Sequence, residues 1–94
     1  MEQRIELVFA KDLSKLAGNA FGRNTYEKQV KEVIDLSKST VLVFPSQIDR
    51  VASSFVQGFF DAIVNEIGIG GIEEQIFFES SISNIKEFVL ENLE

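Results

Sequence analysis

The chain has 94 residues, of which 45% are hydrophobic, and a net charge of −6; this suffices for one domain with a single core and excludes two. It contains no Cys and no His, which excludes disulfides, thiolate metal ligands, zinc and haem sites and every Ser-His-Asp arrangement. Nine Phe against one Tyr and no Trp put most aromatic area where no polar tip needs a partner, and hence in the core.

Ile5, Leu7 and Phe9 alternate with Glu6 and Val8, the period of a strand with one buried face. Residues 10–23 are ambiguous: Asp12 caps a short turn through Leu13, Leu16 and Ala17 ended by Gly18, or the stretch is loop. Asn24 followed by Glu27 has capping-box spacing, and Tyr26, Val30, Val33 and Ile34 then share one stripe, which predicts a helix over 25–37. Thr40–Phe44 reads as a central strand covered on both faces, because its apolar residues do not alternate with polar ones, and Pro45 ends it. Ser54 and Gln57 repeat the capping-box spacing and open a helix to Ile67; Gly68 supplies a left-handed cap, and Gly70 and Gly71 continue as loop. Gln75–Phe78 is a third strand, and a last helix from Ser81–Ser83 carries Ile82, Ile85, Val89 and Leu93 at core spacing. The order β-α-β-α-β-α over residues 1–94 predicts a single α/β domain whose sheet is mixed or mostly parallel, with helices packed on it.

The helix from Ser54 to Ile67 carries more apolar surface than one sheet contact needs. Phe55, Val56, Phe59, Phe60, Ala62, Ile63, Val64 and Ile67 span an arc of about 200° against a usual stripe of about 100°. One edge, Val56, Phe60 and Val64, is therefore expected to stay exposed as a partner-binding surface for another protein or a second copy. At the mouth of that helix, Ser53 and Ser54 read as helix caps or as phospho-acceptors, since a dianion is favoured at a helix N-terminus. Arg23, just before the expected first helix, is a candidate anion contact. Gly68-Ile69-Gly70-Gly71 follows a helix and lacks a Lys-Ser/Thr pair, unlike a phosphate-binding loop, and Glu73 and Glu74 precede a strand and so point apart.

Charge is uneven. Residues 1–50 sum to +1 and residues 51–94, with Lys86 the only base, to −7, which disfavours nucleic acid and suits a basic protein or simple solubility. No apolar run approaches the roughly 20 residues of a membrane span. The start Met1-Glu2-Gln3-Arg4 lacks the basic and apolar regions of a leader, so a soluble cytoplasmic protein is expected.

Over Gly22-Arg23, Val41–Phe44, Val51-Ala52-Ser53-Ser54-Phe55 and Phe59, Phe60 and Ile63 to Gly68, the chain resembles a bacterial STAS-like family of unknown function. That family is related to the STAS domains of sulfate transporters and anti-anti-sigma factors, and the likeness covers residues 22–93. It implies a binding or switch module, not an enzyme, in which Ser54 matches a serine phosphorylated by a kinase of the histidine-kinase ATPase superfamily. Anti-anti-sigma factors carry Asp before the serine pair and Gly after it, where this chain has Ala52 and Phe55; the STAS-like family has an acidic pair where Gln57 and Gly58 stand. The expected function is thus a non-catalytic protein-interaction or regulatory module without cofactor or metal. The alternative is a small-ligand or nucleotide-binding domain using the same helix mouth with Arg23 or Arg50 as counter-charge. A hydrolase using Ser54 lacks a base to activate the hydroxyl.

Overall fold

Val41, Leu42 and Val43 lie at the centre of a three-stranded parallel sheet. The computed structural model describes residues 2–94, which run as β1 (Glu2–Glu6), β2 (Lys15–Leu16), α1 (Asn19–Gln29), β3 (Ser39–Val43), β4 (Arg50–Val51), α2 (Ser53–Gln75), β5 (Ile76–Glu79) and α3 (Ile85–Leu93). The main sheet has the order β1-β3-β5, all pairs parallel, and β2 and β4 form a separate two-residue parallel pair. The expected order of three strands and three helices holds, with the short pair added in the two connections. The stretch 10–23, read as turn or loop, supplies β2 and the start of α1.

Because strand order advances in one direction and parallel crossovers are right-handed, α1 and α2 lie on the same face of the sheet. That face is buried: Ile5, Leu42 and Phe78 share one row, Thr40 and Ile76 the next. The opposite face is open, which corrects the expectation that β3 is covered on both sides. Arg4, Val41 and Phe77 form a row there, with Phe77 41% exposed, followed by the row Glu6, Val43 and Glu79. Instead of a helix layer, an ion pair spans the central strand: Arg4 Nη1 meets Glu79 Oε2 at 3.0 Å and Nη2 donates to Oε1 at 3.1 Å. Lys86 Nζ from α3 stands 4.2 Å from the centre of the Phe77 ring. Val41 and Val43 are thus half shielded by side chains of their own sheet, so apolar residues on successive positions do not here mean two covering layers.

The hydrogen bonds and charge of Arg4 hold the Glu79 carboxyl below its ordinary pKa. A depressed carboxyl contributes stability above its unfolded value and loses it as pH falls through the folded one. Arg4→Gln is therefore expected to return the Glu79 titration, followed by carboxyl NMR, to the ordinary range; an unchanged titration would show that the pair does not persist in solution.

α2 is the hub of the helical layer. Phe55 stacks on Phe59 and meets Phe21 of α1 edge-on at 5.5 Å, while Phe60 meets Phe78 of β5 at 6.0 Å. The broad apolar arc is therefore divided between α1 on one side and β5 and α3 on the other. Val56 and Phe60 are each 1% exposed and Val64 is half-buried, so the expected partner-binding edge is core. The first helical stretch of α2 ends after Ile67, as expected. Gly68 (φ 70°, ψ 173°) breaks the helix in a conformation only glycine adopts without strain, and Gly70 and Gly71 then lie in a second helical stretch, not in a loop.

α1 begins six residues earlier than the capping-box spacing indicates and ends at Gln29, so Val33, expected on its buried stripe, is 60% exposed. Asn24 and Glu27 lie inside the helix, whose start is set by Gly18 (φ 103°) without a side-chain cap. Its contact with α2 is backbone to backbone. A methyl group on Gly22 would overlap the carbonyl of Phe55 and lie 2.8 Å from the amide nitrogen of Phe59; one on Gly58 would overlap the carbonyl of Asn19. None of these backbone atoms can rotate away. Gly58→Ala is accordingly expected to destabilise by roughly 1–3 kcal/mol or more through overpacking, exceeding the ~1 kcal/mol that alanine's helix propensity offers. Gly70→Ala, at a helical position where a methyl meets nothing, is expected to stabilise by about 0.5–1 kcal/mol. Urea melts of the two variants test the assignment, and a neutral Gly58→Ala would refute the close approach.

Candidate functional site, the rim at the strand ends

In open parallel α/β sheets the carboxyl ends of the strands and the adjoining loops form the usual binding edge. Here that rim is laced across three connections. Leu16 pairs with Val51 and Lys15 with Arg50; the Ala52 N–H donates to the Leu16 carbonyl at 2.7 Å, and the Asp49 N–H to that of Ser14 at 2.9 Å. Gln47 Nε2 donates to the Leu13 carbonyl at 3.0 Å, and Ser81 Oγ to that of Ile48 at 3.0 Å. The loops after β1, β3 and β5 are therefore joined into one platform.

The mouth of α2 closes this lacing. Ala52 is extended (φ −84°, ψ 155°) and its carbonyl accepts from the Phe55 and Val56 N–H groups, so the helix starts at Ser53. Neither serine caps it. Ser53 is exposed in the first turn; Ser54 is half-buried, and its Oγ accepts a hydrogen bond of 2.9 Å from the Gly18 N–H. Gln57, read as the capping partner of Ser54, donates instead to the Asn92 carbonyl at 3.5 Å. The sequence spacing that marks a capping box is thus used across the fold, tying α2 to the residue that begins α1. No side chain among the described residues takes a proton from Ser54, so its hydroxyl is an acceptor in a structural bond.

Beside that bond lies an apolar groove of about 410 Å³ lined by Val8, Phe9, Leu13 and Phe21, with Lys28 its only ionisable side chain. Val8 is 70% exposed; its backbone is held because Gln29 Oε1 accepts from its N–H at 2.7 Å and Gln29 Nε2 donates to its carbonyl at 2.8 Å. Phe9, Phe21 and Phe55 meet edge to face at 5.5–6.5 Å, so the groove wall is continuous with the first turn of α2. No sequence pattern marked this groove: Phe21 and Val8 lie in stretches read as loop and as the polar side of a strand.

Arg23 does not join this mouth. It lines a second groove, between α1 and α2, together with Tyr26, Asp61 and Glu66. Among the described residues no group of three or more His, Cys, Asp or Glu converges as metal ligands, and no helix is long and apolar enough to cross a membrane. Comparison of the chain with protein-family models, curated proteins and solved structures finds no match.

Ser54→Ala leaves the Gly18 N–H without its acceptor and is expected to cost about 1–2 kcal/mol. Ser53→Ala removes an exposed hydroxyl and is expected to change stability by less than about 0.5 kcal/mol. Equal losses in urea melts would show that the Ser54 bond carries no weight.

Proposed function

We propose that this chain is a non-catalytic protein-interaction module of STAS-like type, which receives a partner in the groove beside Phe21 and is regulated at Ser54. The bond from the Gly18 N–H to Ser54 Oγ carries this reading, because it couples the mouth of α2 to the start of α1 and so to one wall of the groove. Transfer of the γ-phosphoryl group of ATP to Ser54 Oγ, with release of ADP and a proton, puts about two negative charges where a hydroxyl accepted that bond. The helix N-terminus favours the anion, but the added bulk displaces Gly18 and, with it, Phe21. A histidine-kinase-type ATPase is the donor that the STAS-like resemblance suggests.

Charge states what the partner presents. Lys28 is the only charged group at the groove, so the complementary surface is an apolar side chain flanked by a carboxylate, on another protein. A cytoplasmic setting accords with a chain free of cysteine.

The test pairs the purified protein with histidine-kinase-type ATPases of the same genome, with calorimetry for binding and intact mass with peptide mapping for phosphate. Binding is expected to weaken at least about ten-fold in Phe21→Glu, whose circular dichroism stays native, and phosphate is expected on Ser54. Unchanged binding by Phe21→Glu, phosphate confined to other residues, or a homodimer in sedimentation that seals the groove would overturn the proposal.

A further inference from the structure

On the flank of α1 away from Phe21, a groove of about 590 Å³ separates α1 from α2 and the turn that follows α1. Its basic groups all come from one wall. The α2 wall contributes only acids, Asp61 and Glu66, whereas Arg23 and Lys31 come from α1 and its following turn, joined there by Glu27 and Asp35. The ion pairs among the described residues are Arg4–Glu79 and Lys38–Asp35, so none of Arg23, Lys31, Asp61 and Glu66 is neutralised within the protein. Asp35 is already engaged, accepting from Ser37 Oγ at 2.6 Å.

Tyr26 lies between the two walls. Its ring is buried and meets Phe59 edge-on at 6.0 Å, while its hydroxyl, which makes no hydrogen bond to another described residue, reaches the groove. Burial, aided by the charge of Glu66, holds the phenol above its ordinary pKa, so it remains a proton donor through the neutral range. The hydroxyl itself is not buried: it opens on the groove and is free to donate to a group placed there. The remaining lining, Ile34, Leu36 and Ala62, is apolar.

We infer that this groove binds a small zwitterion of the amino-acid class, its ammonium group on Asp61 and Glu66, its carboxylate on Arg23 and Lys31, and its apolar side chain against Ile34, Leu36 and Ala62. A simple cation would leave Arg23 and Lys31 unpaired and repelled, and a simple anion would do the same to Asp61 and Glu66. A ligand with both charges meets both walls, and the Tyr26 hydroxyl donates to its carboxylate.

Tyr26 is the only tyrosine and there is no tryptophan, so intrinsic fluorescence reports on this groove alone. Leucine is the probe, with isoamylamine (no carboxylate) and 4-methylpentanoate (no ammonium) as the one-charge controls. Leucine is expected to give a saturable change below about 10 mM, with each control at least about ten-fold weaker. Arg23→Gln and Asp61→Asn, both at exposed positions, are expected to weaken leucine at least about ten-fold while the melting temperature stays native. Tyr26→Phe, followed by calorimetry, is expected to weaken it without unfolding. No saturation by leucine, equal binding of either control, or indifference to both charge substitutions would overturn the inference. Because the site lies on the opposite flank of α1 from Phe21, Phe21→Glu is expected to leave leucine binding intact, which separates this result from the fate of the partner groove.

Discussion

The approach of α1 to α2 through Gly22 and Gly58 is the constraint on which the rest of the structure depends. With the two backbones in contact, Phe55 and Phe59 sit beside α1 rather than beneath it, and Tyr26 reaches Phe59. The same contact sets Gly18 against Ser54, close enough for a 2.9 Å hydrogen bond between two helix starts. A side chain at either glycine would move the helices apart by a shift no rotamer change absorbs. Both grooves described above are bounded by α1, and the one between α1 and α2 takes its width from this distance.

The sheet is built more sparingly than parallel sheets usually are. Both crossover helices, α1 and α2, lie on one side, and three strands leave two edges and one face to be managed largely by side chains. Charges do that work. Arg4 and Glu79, on the two edge strands, join across β3, while Lys86 covers the Phe77 ring. An exposed ion pair contributes little energy on its own. Its value here is geometric, since it shields two valines that would otherwise be bare and places charge on a face prone to association.

What was legible in the sequence follows from how local each signal is. The strand read over Ile5–Phe9 and the helices declare themselves by apolar period, and those read over Thr40–Phe44 and Gln75–Phe78 by short apolar runs; β1 lies earlier than read, at Glu2–Glu6, and the α/β class follows from the alternation of elements. Helix starts were misread because Asn24 and Ser54 match a capping pattern that the fold does not use: α1 starts at a glycine, and the Ser54 hydroxyl is directed to another element. Gly68 interrupts the helix with the positive φ expected of a glycine cap, whereas Gly70 and Gly71 were read as loop because glycine is a poor helix former and instead lie in a second helical stretch. β2 and β4 are two residues each and exist only through each other, so no local pattern announces them. Of the candidate residues, Ser53 and Ser54 do lie at the helix mouth, whereas Arg23 belongs to a different groove.

The width of the apolar arc on α2 was correctly seen and wrongly assigned, and the reason bears on small α/β domains generally. An arc of about 200° implies two contacts rather than one exposed edge. In a two-layer domain of this size the second contact is internal: α1 takes the Phe55 and Phe59 side and β5 the Phe60 side, with the middle on the sheet. The helix that carries the strongest hydrophobic signal is thereby spent on the core. Unmatched surface is displaced to the helix with the weaker signal, α1, whose buried residues Gly22, Thr25 and Tyr26 leave Phe21 on one flank and Arg23 on the other. Functional surface in such a fold is better sought beside the modest helix that leans on the hub than along the hub itself.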